Sequence, residues 1–300
     1  MANTAENPLV NLSEALAERV RLARPLVAGI AVPGHRMRSA TLWRKDVVVA
    51  SEQRFPEAGD AKVILADGSA FTARVAGRDP STNVVALQLD AAPDPTPLPA
   101  GEPQPGGLVL ALGADDGGIS VRLGVIHSVG PFWHSRMGGR IDRRITLDIR
   151  VTPREEGGPV LDPGGGLLGI STLGPRGRVL VIPASTVEAV LGPLLSKGRV
   201  ERGWLGLALQ PVLIPEALQA EAGQSQGLMV MSVSKDGPAA KANLHAGDIL
   251  VRIAGESVTS PTAVAQYLGP DSVAKQVELH LIRADKPFSI PVTVGIRPDR

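Results

Sequence analysis

The 300-residue sequence contains no cysteine. That excludes a disulfide framework and thiol chemistry. Aromatic residues make up only 3% of the chain, so its core has to be built from Val, Leu, Ile and Ala. Charge of one sign is also missing: a formal net charge of +1 gives no electrostatic case for nucleic-acid or membrane-surface binding. No apolar run approaches the roughly 20 residues that a membrane-spanning helix needs. Within the first thirty residues Glu6, Glu14, Arg19, Arg21 and Arg24 interrupt the apolar positions. No secretory signal is visible there, and the expectation from the sequence is a cytoplasmic protein.

Turn formers are abundant, with 34 glycines and 26 prolines. The length suits two or three domains of about 100–150 residues each. Asn11, with Glu14 three residues on, reads as the cap of a helix carrying Leu12, Leu16 and Val20 on one face. Pro25 ends it. From Leu26 the rhythm changes to short β-branched runs: 26–32, 40–43, 46–50, 61–65, 71–75 and 83–89, with a hairpin turn at Gly68. Residues 91–107 are rich in proline and glycine and read as a connection between two halves. A second block follows at 108–112, 119–128, 144–151, 160–161, 167–171 and 179–182. Two blocks of about six short strands predict paired antiparallel barrels, a mostly β fold. A helix is expected from Pro183 to about Leu195, ending at Lys197-Gly198. The remaining part alternates strands (204–209, 228–232, 249–253, 277–283, 288–294) with short helical patterns at 239–242 and 262–268. The expected organisation is an N-terminal helix over 1–25, a two-barrel domain over 26–198 and a smaller domain over 199–300.

Several motifs share one order and spacing. Asp79-Pro80-Ser81-Thr82-Asn83-Val84 is similar to Asp-Pro-x-Thr-Asp-Leu of the HtrA-type, trypsin-like serine proteases. Gly124-Val125-Ile126 and Leu168-Gly169-Ile170-Ser171 resemble strands flanking that family's nucleophile. Glu156-Gly157-Gly158-Pro159 resembles the end of its Gly-Asn-Ser-Gly-Gly-Pro turn. Further on, Gly203-Trp204-Leu205-Gly206-Leu207, Gly237-Pro238-Ala239-Ala240 and Gly247-Asp248-Ile249 resemble a PDZ domain. The resemblance runs from Ala40 to Val294 and implies a trypsin-like domain, two six-stranded barrels, followed by one PDZ domain.

The departures concern chemistry. The family's serine falls at Glu156, its aspartate at Asn83 and its histidine, counted along 47–53, at Glu52. All three replacements imply a pseudoprotease without a catalytic residue: no hydroxyl to attack a carbonyl, no imidazole to take its proton, no carboxylate to orient that imidazole. His35, His127, His134 and Ser171 read as loop or surface residues rather than a rebuilt triad. If the barrels hold Glu52 and Glu156 together, the two carboxylates would share a proton or hold a cation with Asn83; otherwise they face solvent. No metal or cofactor is expected.

The PDZ resemblance implies that the amides of Leu205, Gly206 and Leu207 capture a peptide's C-terminal carboxylate, with Val264 and Leu268 as pocket residues and the peptide added as a strand beside 206–210. The expected role is thus a peptide-binding or regulatory scaffold for chain ends or unfolded segments, without nucleic acid and without a membrane span. Two alternatives stay open: an active HtrA-type endopeptidase in protein quality control with a misplaced triad, and a regulatory subunit of an active paralogue. Family members commonly form trimers and are often exported, which makes self-association, mixed assembly and a periplasmic location family-based expectations.

Overall fold

The computed structural model describes residues 7–57, 60–91, 94–95, 97–115 and 118–298. Residues 1–6 of the expected N-terminal helix, and 92, 93 and 96 of the expected connection, lie outside the described residues. The chain divides into two compact units, 1–133 with 141–200, and 201–300 with 134–140.

In the first unit, α1 (Pro8–Ala23) starts four positions before the expected site, because Asn7 and not Asn11 is its cap. The Asn7 side chain accepts the Leu9 amide at 3.0 Å, and Pro8 takes the first helical position, where its missing N–H costs nothing. Leu16 and Val20 pack against Val27, Leu110 and Leu161, whereas Leu12 is exposed. The six strands that follow are β1 (Val27–Ala31), β2 (Arg38–Arg44), β3 (Val47–Ser51), β4 (Asp60–Leu65), β5 (Ala70–Asp79) and β6 (Val84–Leu89). They close in the order β1-β2-β3-β6-β5-β4. A second set closes in the order β9-β12-β11-β10-β7-β8, formed by β7 (Leu108–Asp115), β8 (Gly118–Gly130), β9 (Arg144–Leu147), β10 (Pro159–Leu161), β11 (Leu167–Leu173) and β12 (Val179–Pro183). The expected pair of six-stranded antiparallel barrels is therefore present.

Alternation along these strands separates the cores. Ile30, Leu42, Val48, Val63 and Leu87 fill the first barrel, and Val109, Ile126, Ile145, Val160 and Val181 fill the second. Opposite faces of the same strands supply a third cluster, in which Val49, Val84, Ile170 and Ile182 meet Leu191 and Leu194 of α2 (Ala184–Lys197). This seam holds β3 and β6 of one barrel against β11 of the other, and the candidate cleft lies at its edge.

The second unit contains β13 (Leu207–Leu213), α3 (Glu216–Ala222), β14 (Gln226–Val233), β15 (Ile249–Ile253), α4 (Pro261–Tyr267), β16 (Gln276–Arg283) and β17 (Lys286–Thr293). The sheet order is β13-β14-β15-β16-β17, so β13 is an edge strand. The expected continuous strand over 204–209 is broken at Gly206, whose φ of +80° takes the chain out of the extended region. Helix α3 is absent from the sequence expectations; its seven residues offer too short a window for a helical repeat.

Candidate functional site

The cleft of the first unit is built from three chain turns. The first follows β3, where Ser51 is the last strand residue and Phe55 N–H closes a turn onto the Glu52 carbonyl at 2.8 Å. The second is held by Asp79. Its carboxylate accepts the Ser81 amide at 3.2 Å, the Ser81 hydroxyl at 2.6 Å and the Thr82 hydroxyl at 2.6 Å. That knot delivers Asn83 with a φ of +61°, a conformation asparagine tolerates better than most side chains. The third turn carries Glu155, Glu156 and Gly157. Gly157 has a φ of +97°, and a Cβ there would lie 2.6 Å from the Ser39 carbonyl oxygen, so the turn requires glycine.

The structure brings Asn83 and Glu156 together through two hydroxyls. The Asn83 amide donates to Ser51 Oγ at 2.9 Å and to Thr172 Oγ1 at 2.7 Å. Those hydroxyls donate in turn to Glu156 Oε1, at 2.8 Å and 2.7 Å. The Leu173 amide adds a further bond to the same oxygen at 3.1 Å, and Gln53 Nε2 donates to it as well. The Gln53 amide donates to Asn83 Oδ1 at 2.6 Å, closing the circuit. Glu156 is only 3% exposed, so this carboxylate is a buried charge made tolerable by converging donors. Its second oxygen has no hydrogen-bond partner among the described residues; Arg54 Nε lies 3.6 Å away. The two side chains are chemically matched. A carboxamide at 83 supplies two N–H groups that feed an acceptor at 156, whereas a carboxylate at 83 would set two like charges a few ångströms apart.

Glu52 does not join this circuit. It turns to Arg78, 3.8 Å away, and burial raises its carboxyl pKa, with Arg78 opposing and Asp79 adding to the rise. The paired carboxylates weighed from the sequence do not form. Adjacent side chains in the turn point to different sides, and it is Gln53, one residue further, that reaches Glu156. Among the described residues no group of three or more His, Asp or Glu side chains is arranged to hold a metal ion. Ser171 donates its hydroxyl to the Glu155 carbonyl at 3.2 Å and is committed there. Glu155 itself is buried. Burial would raise its pKa, but Arg122 (Nε to Oε1, 2.9 Å) and the Thr152 amide (2.7 Å) bring it below the ordinary value.

In the second unit Leu205, Gly206, Leu207, Val264 and Leu268 line one cavity of about 200 Å³. Leu205, Val264 and Leu268 are buried; Leu207 is half-buried. The cavity lies along the edge strand β13 and against α4, which begins at Ser260, whose hydroxyl caps the Ala263 amide at 3.2 Å. The N–H groups of Leu205 and Gly206 have no hydrogen-bond partner among the described residues. Trp204 and Arg297 also line the cavity. Neither stands out in the sequence: Trp204 sits inside the PDZ-like motif but reads as a plain strand residue, and Arg297 follows the last strand with no motif around it.

Comparisons with known proteins agree with this geometry. Residues 38–170 match the trypsin-like peptidase domain and residues 204–294 match the PDZ domain. The chain is 31% identical over 283 residues to a probable periplasmic serine endoprotease DegP-like of Brucella suis, covering 89% of this chain and 55% of that protein. A protein of the same description from Halomonas elongata is 31% identical over 253 residues, covering 81% and 52%. The chain thus spans about half the length of the curated relatives it matches. Among solved structures, the HtrA-type protease AlgW with tripeptide superposes with a TM-score of 0.73 at 26% identity, covering 95% of this chain and 98% of that one. A serine endoprotease from Yersinia pestis superposes with a TM-score of 0.75 at 24% identity, covering 94% and 98%.

Proposed function

We propose that this chain, an HtrA-type trypsin-like domain joined to a PDZ domain, is a peptide-binding protein whose protease-fold cleft no longer cleaves. The observation that carries the reading is the buried Glu156 carboxylate, which accepts the Ser51, Thr172 and Gln53 donors at the position we equate with the serine of the signature turn. Peptide hydrolysis by this fold needs a hydroxyl nucleophile, an imidazole base and a carboxylate behind it. We assign those positions to Glu156, Gln53 and Asn83, moving the histidine equivalent by one residue from Glu52. An asparagine in place of the aspartate alone lowers the rate of trypsin-like enzymes about 10⁴-fold.

The binding role rests on the second unit. A peptide with an apolar last residue adds beside β13, its carboxylate on the Leu205 and Gly206 amides with Arg297 nearby, its side chain between Val264 and Leu268. The related AlgW structure with tripeptide supports the same class of ligand here. Domain limits at 25/26 and 198/199, association with itself or an active paralogue, and a periplasmic rather than cytoplasmic location, as named for the relatives, belong to this proposal.

The alternative, an active endoprotease, is favoured by the descriptions of those same relatives. One pair of assays separates the readings: fluorophosphonate labelling with casein hydrolysis, and binding of a fluorescent peptide ending in Val-COOH against its amide. The proposal expects no label, no cleavage and at least about tenfold weaker binding of the amide. Cleavage that disappears in Glu156→Ala establishes the alternative. Equal affinity for acid and amide defeats carboxylate capture.

A further inference from the structure

We propose that the second unit carries another ligand site, on the outer face of its sheet, that takes a small monocarboxylate with an apolar body. The site follows from strand alternation. Leu279 and Leu281 of β16 are buried in the core that also contains Leu205, Val264 and Leu268. His280 and Ile282 must then face the other way. On that outer face α3 is docked: Leu218 and Ala222 pack against Ile214, Val251 and Ile282, a small core of its own. The helix is too short to cover the sheet. Beside it a cavity of 610 Å³ remains, within the roughly 300–1,000 Å³ range of small-molecule sites.

Its walls divide by chemistry. Leu218, Val251 and Ile282 supply apolar surface, and Arg252, His280 and Ser289 supply polar groups. Among the described residues Arg252 makes one hydrogen bond, Nη2 to the Ala222 carbonyl at 3.2 Å, which leaves the rest of its planar fork available to a carboxylate. Ser289 Oγ and His280 Nδ1 lie 2.7 Å apart on paired positions of β16 and β17, so that polar pair is preorganised. The exposed Glu221 lies at the rim. Its charge disfavours a dianion such as phosphate while a single carboxylate on Arg252 is still accommodated. The site shares no lining residue with the groove, so it stands or falls independently of the function proposed above.

The test is a two-dimensional NMR titration of the full chain with 3-phenylpropionate, 3-phenylpropanol and inorganic phosphate. The expected result is saturable shifts at Arg252, His280 and Ser289 with 3-phenylpropionate, with a dissociation constant of about 1 mM or below. The alcohol, phosphate and the Arg252→Gln variant should each bind at least about tenfold more weakly. Ile282→Trp, which fills the cavity, should remove the shifts while circular dichroism still reports a folded sheet. Shifts confined to Leu205–Leu207 would mean that the carboxylate sits in the groove, and the proposal fails. Equal binding of acid and alcohol, or no saturable shift, also overturns it.

Discussion

In the cleft of the first unit, polar groups are consumed internally: the Asn83 amide feeds two hydroxyls, and both feed Glu156. In the groove of the second unit, two backbone amides have no partner among the described residues and lie beside an apolar cavity lined also by Arg297. One region is closed by its own hydrogen bonds and the other is open. A buried network whose donors are used internally has none left for a ligand; unpaired donors over an apolar floor do the reverse. On the proposed function, the contrast gives the cleft a structural role and the groove the recognition.

The strongest way to break that assignment is to close the groove. Gly206→Asp places a side chain at a φ of +80°, with its Cβ about 3.3 Å from Ser234 and the Trp204 ring, and brings a carboxylate to the point where the ligand's must bind. Affinity for a peptide ending in an apolar residue should fall at least about 100-fold, by fluorescence anisotropy. Loss below about threefold would show that the amides at 205–207 are not the receptor.

Opening the cleft tests the other half. Glu156→Ala removes the common acceptor of Ser51, Thr172 and Gln53 and leaves the buried Ser51 and Thr172 hydroxyls without it. The expected cost is about 2–4 kcal/mol in denaturant unfolding of the first unit. Glu156→Gln keeps one acceptor oxygen and should cost about half as much. Asn83→Asp sets a second carboxylate against Glu156, and a loss of about 1–3 kcal/mol is expected. Glu156→Ser should not cleave casein, since Gln53 cannot act as a base. Were Glu156→Ala as stable as the parent, the network would be incidental and the cleft a decayed surface.

How far these features could be read without coordinates follows the same division. The barrels were legible because period-2 alternation and turn residues recur through 26–182, and because short motifs keep their order. Asn83 and Glu156 could be singled out by their residue types within the resembled motifs. The circuit was not, since it joins Ser51, Asn83, Glu156 and Thr172 across separations that no local pattern records. Glu52 stands out in the sequence because it is charged; the structure turns it to Arg78, and the less conspicuous Gln53 reaches Glu156 instead. The five groove residues are readable from one motif and a helix spacing, while α3, and with it the outer cavity, lies below the length at which periodicity speaks.

Acid should affect a particular contact in the second unit. Asp248 is buried, which by itself would raise its pKa, but the bidentate Arg283 guanidinium, at 2.7 Å to each oxygen, and the His245 amide bring it below the ordinary value. A depressed folded-state pKa means that the stabilisation is present above the unfolded value of about 3.9 and is lost as pH falls through the folded one. Asp248→Asn should therefore be clearly less stable than the parent at pH 7, with the gap narrowing below about pH 4. Hydrogen exchange on β14–β16 measures it. A gap that does not vary with pH would make the contact one of shape rather than charge.

The smallest expected effect has the opposite sign and lies in the first unit. Burial raises the pKa of Glu52 despite Arg78, so its ionised form is disfavoured in the folded chain. A raised carboxyl contributes favourably below its unfolded pKa of about 4.3, and that contribution is lost as pH rises through the folded value. Glu52→Gln removes the ionisation and should gain a few tenths of a kcal/mol at pH 7, a gain that fades towards pH 4. Glu156→Gln, one circuit away, should lose stability at pH 7. If Glu52→Gln loses stability as well, the Arg78 pair outweighs burial and Glu52 belongs with the cleft's structural charges. If it gains, the two glutamates that looked equivalent in the sequence are separated by the sign of a single measurement.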